Sequence, residues 1–237
     1  MECEPIWSDA SDVPARVLIV DDHPAVREGL GFRIARCPDL VVCGEAADLS
    51  GALSEIEATN PDVAVVDIAL GAESGLDLIR RLRSRHPPVK SLVWSMYPES
   101  LYAERALRAG AMGYITKQAA TGRIIEAIRR VLAGEIFLSE TAAHQMLRRV
   151  VGSGSSHGEI STEIPSPEAT LSDRELDVLR LIGSGLTTSE VAERLHLSVH
   201  TIDTYRQRIK IKLGLRNGAE LVRAATQWVL ESRWPVI

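Results

Sequence analysis

The chain has 237 residues, 45% hydrophobic and 25% charged, with a formal net charge of −5. At about 100–200 residues per domain that length suits one large domain or two small ones, and the ordinary apolar content excludes wholesale disorder. No apolar run nears the roughly 18–20 residues that span a bilayer, and the acidic start MECEPIWSDASDVPAR lacks a secretory apolar stretch. Cys3, Cys37 and Cys43 show no metal-ligand spacing, so a cytoplasmic chain with reduced, unpaired thiols and no membrane partner is expected.

After an extension over 1–15, short β-branched runs alternate with helical patterns as far as about 135. Strands are predicted at 16–20, 40–44, 62–67, 90–95 and 112–116, and helices near 25–36, 48–58, 75–85, 99–109 and 120–133. Five βα units with near-continuous apolar strands predict an α/β doubly wound, five-stranded parallel sheet covered on both faces.

Such a sheet carries its chemistry at the carboxyl ends of its strands. The first strand ends in Asp21-Asp22, the third in Asp67, the fourth in Ser95 and the fifth in Thr116-Lys117. If strands one, three, four and five are neighbours, three carboxylates converge and need a compensating cation. All-oxygen ligands of this kind suit Mg²⁺. Lys117 adds a point charge for a phosphoryl oxygen and Ser95 a hydroxyl donor. A carboxylate held in this way is chemically suited to accept a phosphoryl group. A dinucleotide fingerprint is excluded, because Gly29-Leu30-Gly31 runs on to Ile34 inside a predicted helix.

A helical stretch over 139–151 leads to a Gly-, Ser- and Pro-rich segment at 152–170, read as a flexible linker. Linker helix and flexible segment together occupy 136–170. Gly154-Ser155-Ser156-His157-Gly158 matches a nucleophile-elbow pattern but lacks the strand before it and the helix after it.

From 171 to 237 four helices are predicted and no strand. Ser172 and Glu175 make a capping box at the start of the first. The segment beginning at Thr187 forms a short second helix, and a turn at His196-Leu197-Ser198 leads into a third that ends at Gly214. Two helices joined by a short turn, the second of them basic, describe a helix-turn-helix. In the third helix Val199, Ile202, Tyr205 (or Arg206), Ile209 and Leu213 are spaced to face a core, leaving His200, Asp203, Thr204, Gln207, Arg208 and Ile211 outside. Charge follows the same division. Residues 1–150 hold 17 Lys and Arg against 21 Asp and Glu, whereas 170–237 hold 10 against 8.

The runs VDDHPAVREGL (20–30), VVDIALGAESGLDLI (65–79), LVWSMYPE (92–99) and RAGAMGYITK (108–117) resemble the receiver domain of bacterial two-component response regulators, over roughly 16–133. The resemblance implies a flavodoxin-like fold with Asp67 as phosphoacceptor. It implies Asp21 and Asp22 as the acidic metal pair, with the backbone carbonyl of Ala69 as a further ligand. Ser95 and Tyr114 take the switch positions, and Lys117 pairs with the phosphate. Three departures stand out. Gly71 occupies a position where receivers usually carry Pro, which predicts a looser loop. Gln118 replaces a common Pro, so no cis bond is expected after Lys117. Ala69 has no side chain to hold an attacking water, which predicts slow self-dephosphorylation.

The stretch LSDRELDVLRLIGSGLTTSEVAERLHLSVHTIDTYRQRIKIKLGL resembles the LuxR-type DNA-binding domain that completes NarL/FixJ-type response regulators. By that resemblance Asp203, Thr204 and Gln207 are base-edge candidates, and Thr201, Arg206, Arg208, Lys210 and Lys212 are phosphate candidates. Asp203 departs from the basic residue common there.

The implied protein is a phosphorylation-dependent transcriptional regulator rather than an enzyme. Its cofactor is Mg²⁺ and its partners are a sensor histidine kinase and double-stranded promoter DNA, which it binds as a homodimer when active. Two rivals are an adaptor whose helical domain binds no DNA and a receiver that switches without phosphorylation. The basic helix disfavours the first, and the intact acidic site the second.

Overall fold

This computed structural model describes residues 13–71, 73–119, 122–152 and 167–231. The chain divides into two compact units, Met1–Ser155 and Ser156–Ile237.

In the first unit the strands β1 (Ala15–Val20), β2 (Leu40–Ala46) and β3 (Val63–Val66) are followed by a small hairpin, β4 (Ala69–Leu70) with β5 (Glu73–Ser74). β6 (Lys90–Ser95) and β7 (Gly113–Thr116) complete the set. The five longer strands form one parallel sheet in the order β2-β1-β3-β6-β7, as the alternating pattern predicts. The helices between them are α1 (Pro24–Ile34), α2 (Leu49–Thr59), α3 (Gly75–Arg85), α4 (Glu99–Ala109) and α5 (Arg123–Leu132).

Side chains alternate across a strand, and here both faces are covered. Val17, Ile19, Val63, Val65, Leu92 and Ile115 form one core with Leu30 and Ile34 of α1 and with Ile124, Ile128 and Val131 of α5. The intervening Leu18, Val20, Ala64, Val66, Val93 and Tyr114 are equally buried on the other face, as are Ile56 of α2, Leu82 of α3 and Ala106 of α4. Burying a Val, Leu or Ile side chain in this way contributes roughly 1.5–3 kcal/mol relative to exposure, and β1, β3 and β6 bury such residues on both faces.

The hairpin β4–β5 was not expected from the sequence, because two-residue strands leave no alternation to read. Ala69 pairs with Ser74 and Leu70 with Glu73. Gly71 turns the hairpin at φ +54°, a left-handed backbone that glycine adopts without a Cβ penalty. Gly75, where α3 begins, has a different constraint, since any Cβ there would strike the carbonyl of Asp67.

The first unit also runs past 135, the edge that the alternating pattern predicts. Phe137 is 2% exposed and lies in the core. Its N–H donates to the Met112 carbonyl at 3.0 Å, and its carbonyl accepts from Tyr114 N–H at 2.9 Å, so it adds a short bridge beside β7. α6 (Glu140–Gly152) then packs on α4, with Ala142 buried and Ser139 N–H donating to Glu99 Oε1 at 2.7 Å.

The second unit contains a short α7 (Pro167–Thr170), α8 (Asp173–Gly183), α9 (Thr188–Arg194), α10 (Val199–Lys212) and α11 (Gly218–Glu231). α7 falls at the end of the segment read as linker; most of that segment, with its Gly154–Gly158 pattern, lies outside the described residues, as does Cys3. Ser172 and Glu175 form the expected capping box, with Ser172 N–H donating to Glu175 Oε2 at 2.7 Å. A second box, Thr187 with Glu190, opens α9 and carries the same T-x-x-E spacing in the sequence. Ile202 and Ile209 of α10, Leu179 of α8, Val191 of α9 and Leu221 of α11 supply the small core.

Candidate functional site

The order β1-β3-β6-β7 puts the strand ends in adjacent positions, and the expected side chains meet there. Asp67, immediately after β3, is 4% exposed, and Asp21, immediately after β1, is 2% exposed. Ser95 Oγ donates to Asp67 Oδ1 at 2.6 Å. Lys117 Nζ reaches Asp67 Oδ2 at 2.5 Å and Asp21 Oδ2 at 2.6 Å. The ammonium therefore bridges two carboxylates whose charges repel.

Burial pushes the Asp67 carboxyl above its usual value against the opposing pull of Lys117, and the neighbouring Asp21 charge adds to the rise. For Lys117 burial acts downward, but Asp67 and Asp21 outweigh it and hold the ammonium above the usual lysine value. The lysine thus stays charged at neutral pH.

Asp22 is less enclosed, its side chain 24% exposed. His23 Nδ1 lies 2.6 Å from Asp22 Oδ1 and 3.4 Å from Asp21 Oδ1. One ligand atom from each of Asp21, Asp22, His23 and Asp67 falls within 4.8 Å of the others. Three carboxylates in that space form a donor set for a hard divalent cation. His23 was not singled out from the sequence, although it directly follows the Asp21-Asp22 pair.

Ala69 sits two residues beyond Asp67 in β4, half-buried, with its N–H 3.4 Å from Asp67 Oδ1. Gly71, expected to loosen this loop, lies at φ +54° beside two hydrogen bonds. Gly71 N–H donates to Asp22 Oδ2 at 3.1 Å, and Leu49 N–H at the start of α2 donates to Glu73 Oε2 at 3.1 Å. The left-handed backbone open to glycine presents the Gly71 N–H to Asp22. The peptide bonds of the described residues, including the one after Lys117, are trans.

Tyr114 is fully buried, and its hydroxyl donates to the Tyr97 carbonyl at 2.9 Å. Burial, followed by the Asp67 charge, raises its pKa well above the ordinary tyrosine value, so the phenol remains a donor. Tyr114, which the resemblance puts at a switch position, thus points inward. Tyr97 stacks on Tyr102 of α4 with ring centroids 4.9 Å apart, which links this hydrogen bond to the helix that carries α6.

In the second unit, α9 and α10 pack against each other and against α8, the arrangement of a helix-turn-helix. Ser198 caps α10 by accepting from Thr201 N–H at 3.0 Å, and its hydroxyl lies 2.8 Å from that of Thr201. His200, Asp203, Thr204, Gln207, Arg208 and Ile211 are exposed, as expected. Ile202 and Ile209 are buried, and Tyr205, Arg206 and Lys210 are intermediate. Val199, expected in the core, is 45% exposed, because as the first helical residue it projects before the packed face begins.

Lys212, expected to meet phosphate, is engaged elsewhere. Its Nζ lies 2.6 Å from Oε2 of Glu175, whose side chain is 3% exposed at the cap of α8. The contact locks the end of α10 to the start of α8. Spacing within one helix carries no signal for a partner 37 residues away.

Comparison with known proteins accounts for both units. Residues 17–129 match the response regulator receiver domain and residues 169–225 the bacterial regulatory proteins of the luxR family. The chain is 32% identical over 212 residues to the DNA-binding transcriptional activator DevR/DosR of Mycobacterium tuberculosis, across 90% of this chain and 94% of that protein. It is 33% identical over 211 residues to the oxygen regulatory protein NreC of Staphylococcus aureus, across 89% and 96% of the two chains. A LuxR-family two-component response regulator from Aurantimonas sp. SI85-9A1 matches with a TM-score of 0.55 at 35% identity, over 59% of this chain and 99% of that one. RcsB of Salmonella enterica serovar Typhimurium, solved on promoter rprA with the phosphomimetic BeF3-, shares the fold at 22% identity and a TM-score of 0.57, over 90% of this chain and 99% of that one. The chain belongs to the response regulators that join a receiver domain to a LuxR-type DNA-binding domain.

Proposed function

We propose that this chain is a cytoplasmic transcription factor controlled by phosphorylation of Asp67. A sensor histidine kinase supplies the phosphoryl group, Asp21, Asp22, Asp67 and the backbone carbonyl of Ala69 hold Mg²⁺, and the active homodimer binds double-stranded promoter DNA through α10. The observation that carries this reading is the convergence of Asp67, Asp21, Lys117 and Ser95 at adjacent strand ends.

In the transfer, a bond forms between an Asp67 carboxylate oxygen and phosphorus as the bond from phosphorus to the kinase histidine nitrogen breaks. The electron pair leaves with the imidazole, so no base on this chain is required. Bound Mg²⁺ would neutralise negative charge on the transferring oxygens. The Lys117 ammonium, already at the carboxylate, meets a phosphoryl oxygen, and the Ser95 hydroxyl donates to another. The chain provides an acceptor and its donors, and at most promotes its own phosphorylation and dephosphorylation.

At the output end the exposed face of α10 enters the major groove. Asp203, Thr204 and Gln207 face base edges, while Thr201, Arg206, Arg208 and Lys210 hold phosphates. Asp203 costs affinity beside phosphates unless it accepts from a cytosine amino group. On this reading Asp203→Ala relaxes preference at one base pair in a binding-site selection, whereas uniformly tighter binding would mean the carboxylate only repels the backbone.

The deciding experiment treats the full chain with acetyl phosphate and Mg²⁺, then measures intact mass and affinity for promoter DNA. Wild type is expected to gain one phosphoryl group and to bind more tightly, and Asp67→Asn to do neither. Equal labelling of the two, or DNA affinity indifferent to labelling, overturns the proposal.

A further inference from the structure

We propose that Gly71 is a positioning residue for the cation site, acting through the Asp22 carboxylate. The inference rests on reading Asp21, Asp22 and Asp67 as that site. Asp21 and Asp67 are fixed by burial and by Lys117, but the Asp22 side chain is 24% exposed, and His23, whose Nδ1 lies 2.6 Å from Asp22 Oδ1, is itself 66% exposed. The contact that crosses from the β4–β5 hairpin to hold it is the Gly71 N–H, 3.1 Å from Asp22 Oδ2.

That N–H is presented by conformation. Gly71 lies at φ +54°, and a Cβ there would meet nothing within 4 Å. Open space leaves backbone angle as the reason for glycine. The resembling receivers usually carry proline at this position, which fixes φ near −65° and has no N–H to give. The hairpin is braced independently: Ala69 and Leu70 pair with Ser74 and Glu73, Glu73 accepts from Leu49 N–H at 3.1 Å, and Ser74 caps α3 by accepting from Leu76 N–H at 3.3 Å. A braced donor aimed at a ligand carboxylate orients it without adding a competing charge. Partners of this kind set metal affinity by about 10–100-fold.

The test titrates Mg²⁺ alone into the full chain, followed by calorimetry and by intrinsic fluorescence, since the Trp94 ring centroid is 5.8 Å from Lys117 Nζ. Gly71→Pro removes both the N–H and the backbone angle and is expected to weaken Mg²⁺ about tenfold. Gly71→Asn retains the N–H and tolerates a positive φ, and is expected to stay within about threefold of wild type. Unchanged affinity in the proline variant overturns the proposal. So does an equal loss in both variants, which would assign glycine a role in the turn alone. If the proline variant fails to fold by circular dichroism, Gly71→Ala is compared with Gly71→Asn: weaker Mg²⁺ binding than in the asparagine variant, which tolerates the positive φ better, supports the proposal, and equal affinity in the two overturns it. Asp21→Asn and Asp67→Asn run alongside; Mg²⁺ binding untouched by these would overturn the cation-site reading itself, separately from the role of Gly71.

Discussion

If Asp67 accepts a phosphoryl group as proposed, Ala69 offers an attacking water no side chain to hold it. Its methyl group stands two positions beyond Asp67, and the nearby donors, Ser95 and Lys117, are both directed at the carboxylate. Hydrolysis of an acyl phosphate needs a water held in line, and orientation of that kind is worth several kcal/mol. Ala69→Asn is therefore expected to shorten the phosphoryl half-life by about tenfold, as followed by loss of label after removal of the phosphodonor. An unchanged or longer half-life would show that something other than this side chain controls water.

At the scale of elements, helix ends carry much of the second unit's organisation. Glu175 caps α8, receives Lys212 from α10, and is buried while doing so. Burial alone would raise its pKa, but the bonds from Lys212 and Ser172 outweigh it and hold the carboxyl below the usual glutamate value. The folded pKa is depressed, so this stabilisation is present above the unfolded value and is lost as pH falls through the folded one. Lys212→Met is expected to lower stability near neutral pH by about 1–2 kcal/mol, with the lysine head partly solvated. The difference from wild type should close as pH drops below the ordinary glutamate range. Urea denaturation of the two proteins at several pH values checks both parts, and an equal deficit at every pH would remove Glu175 from the explanation.

Elements also differ in how well the sequence announced them. Helices α3 and α4 fall where they were predicted, and they bury Leu76, Ile79 and Leu82 on one and Tyr102, Ala106 and Ala109 on the other. The strand ends Asp21, Asp67, Ser95 and Lys117 were legible for a related reason, since a parallel sheet forces its chemistry to one rim. The hairpin, Phe137 and the Lys212–Glu175 pair were not legible. The hairpin's two-residue strands are too short to alternate, and the other two depend on contacts between segments distant in sequence that leave no periodic trace.

Over the whole molecule, the acidic sum hides two parts of opposite character. The first 150 residues are net acidic, and the segment from 170 onward is net basic. Arg208 is exposed on α10, and Arg206 and Lys210 are partly so. If they meet phosphates, log affinity for DNA should fall steeply with log salt, and each contact removed should flatten the slope by about 0.9. Arg208→Ala is expected to weaken binding to all sequences alike and to reduce the slope by roughly one, measurable by fluorescence anisotropy across a salt series. A sequence-selective loss with an unchanged slope would move Arg208 to the base-reading group.

Phe137 has a consequence for solubility. β7 is the last strand of its sheet, and the edge of such a strand offers unpaired backbone groups to any passing strand. Here the Tyr114 N–H and Met112 carbonyl are taken by Phe137, and the ring is flanked by the guanidinium groups of Arg123 and Arg130 at 5.4 and 5.5 Å from its centroid. The segment closes the sheet with a residue that cannot itself be extended into a further long strand, because α6 follows within three residues. A receiver severed at 135 would lose that cover and expose an adhesive edge. Such a fragment is expected to self-associate in sedimentation velocity runs at concentrations where one ending at 152 does not.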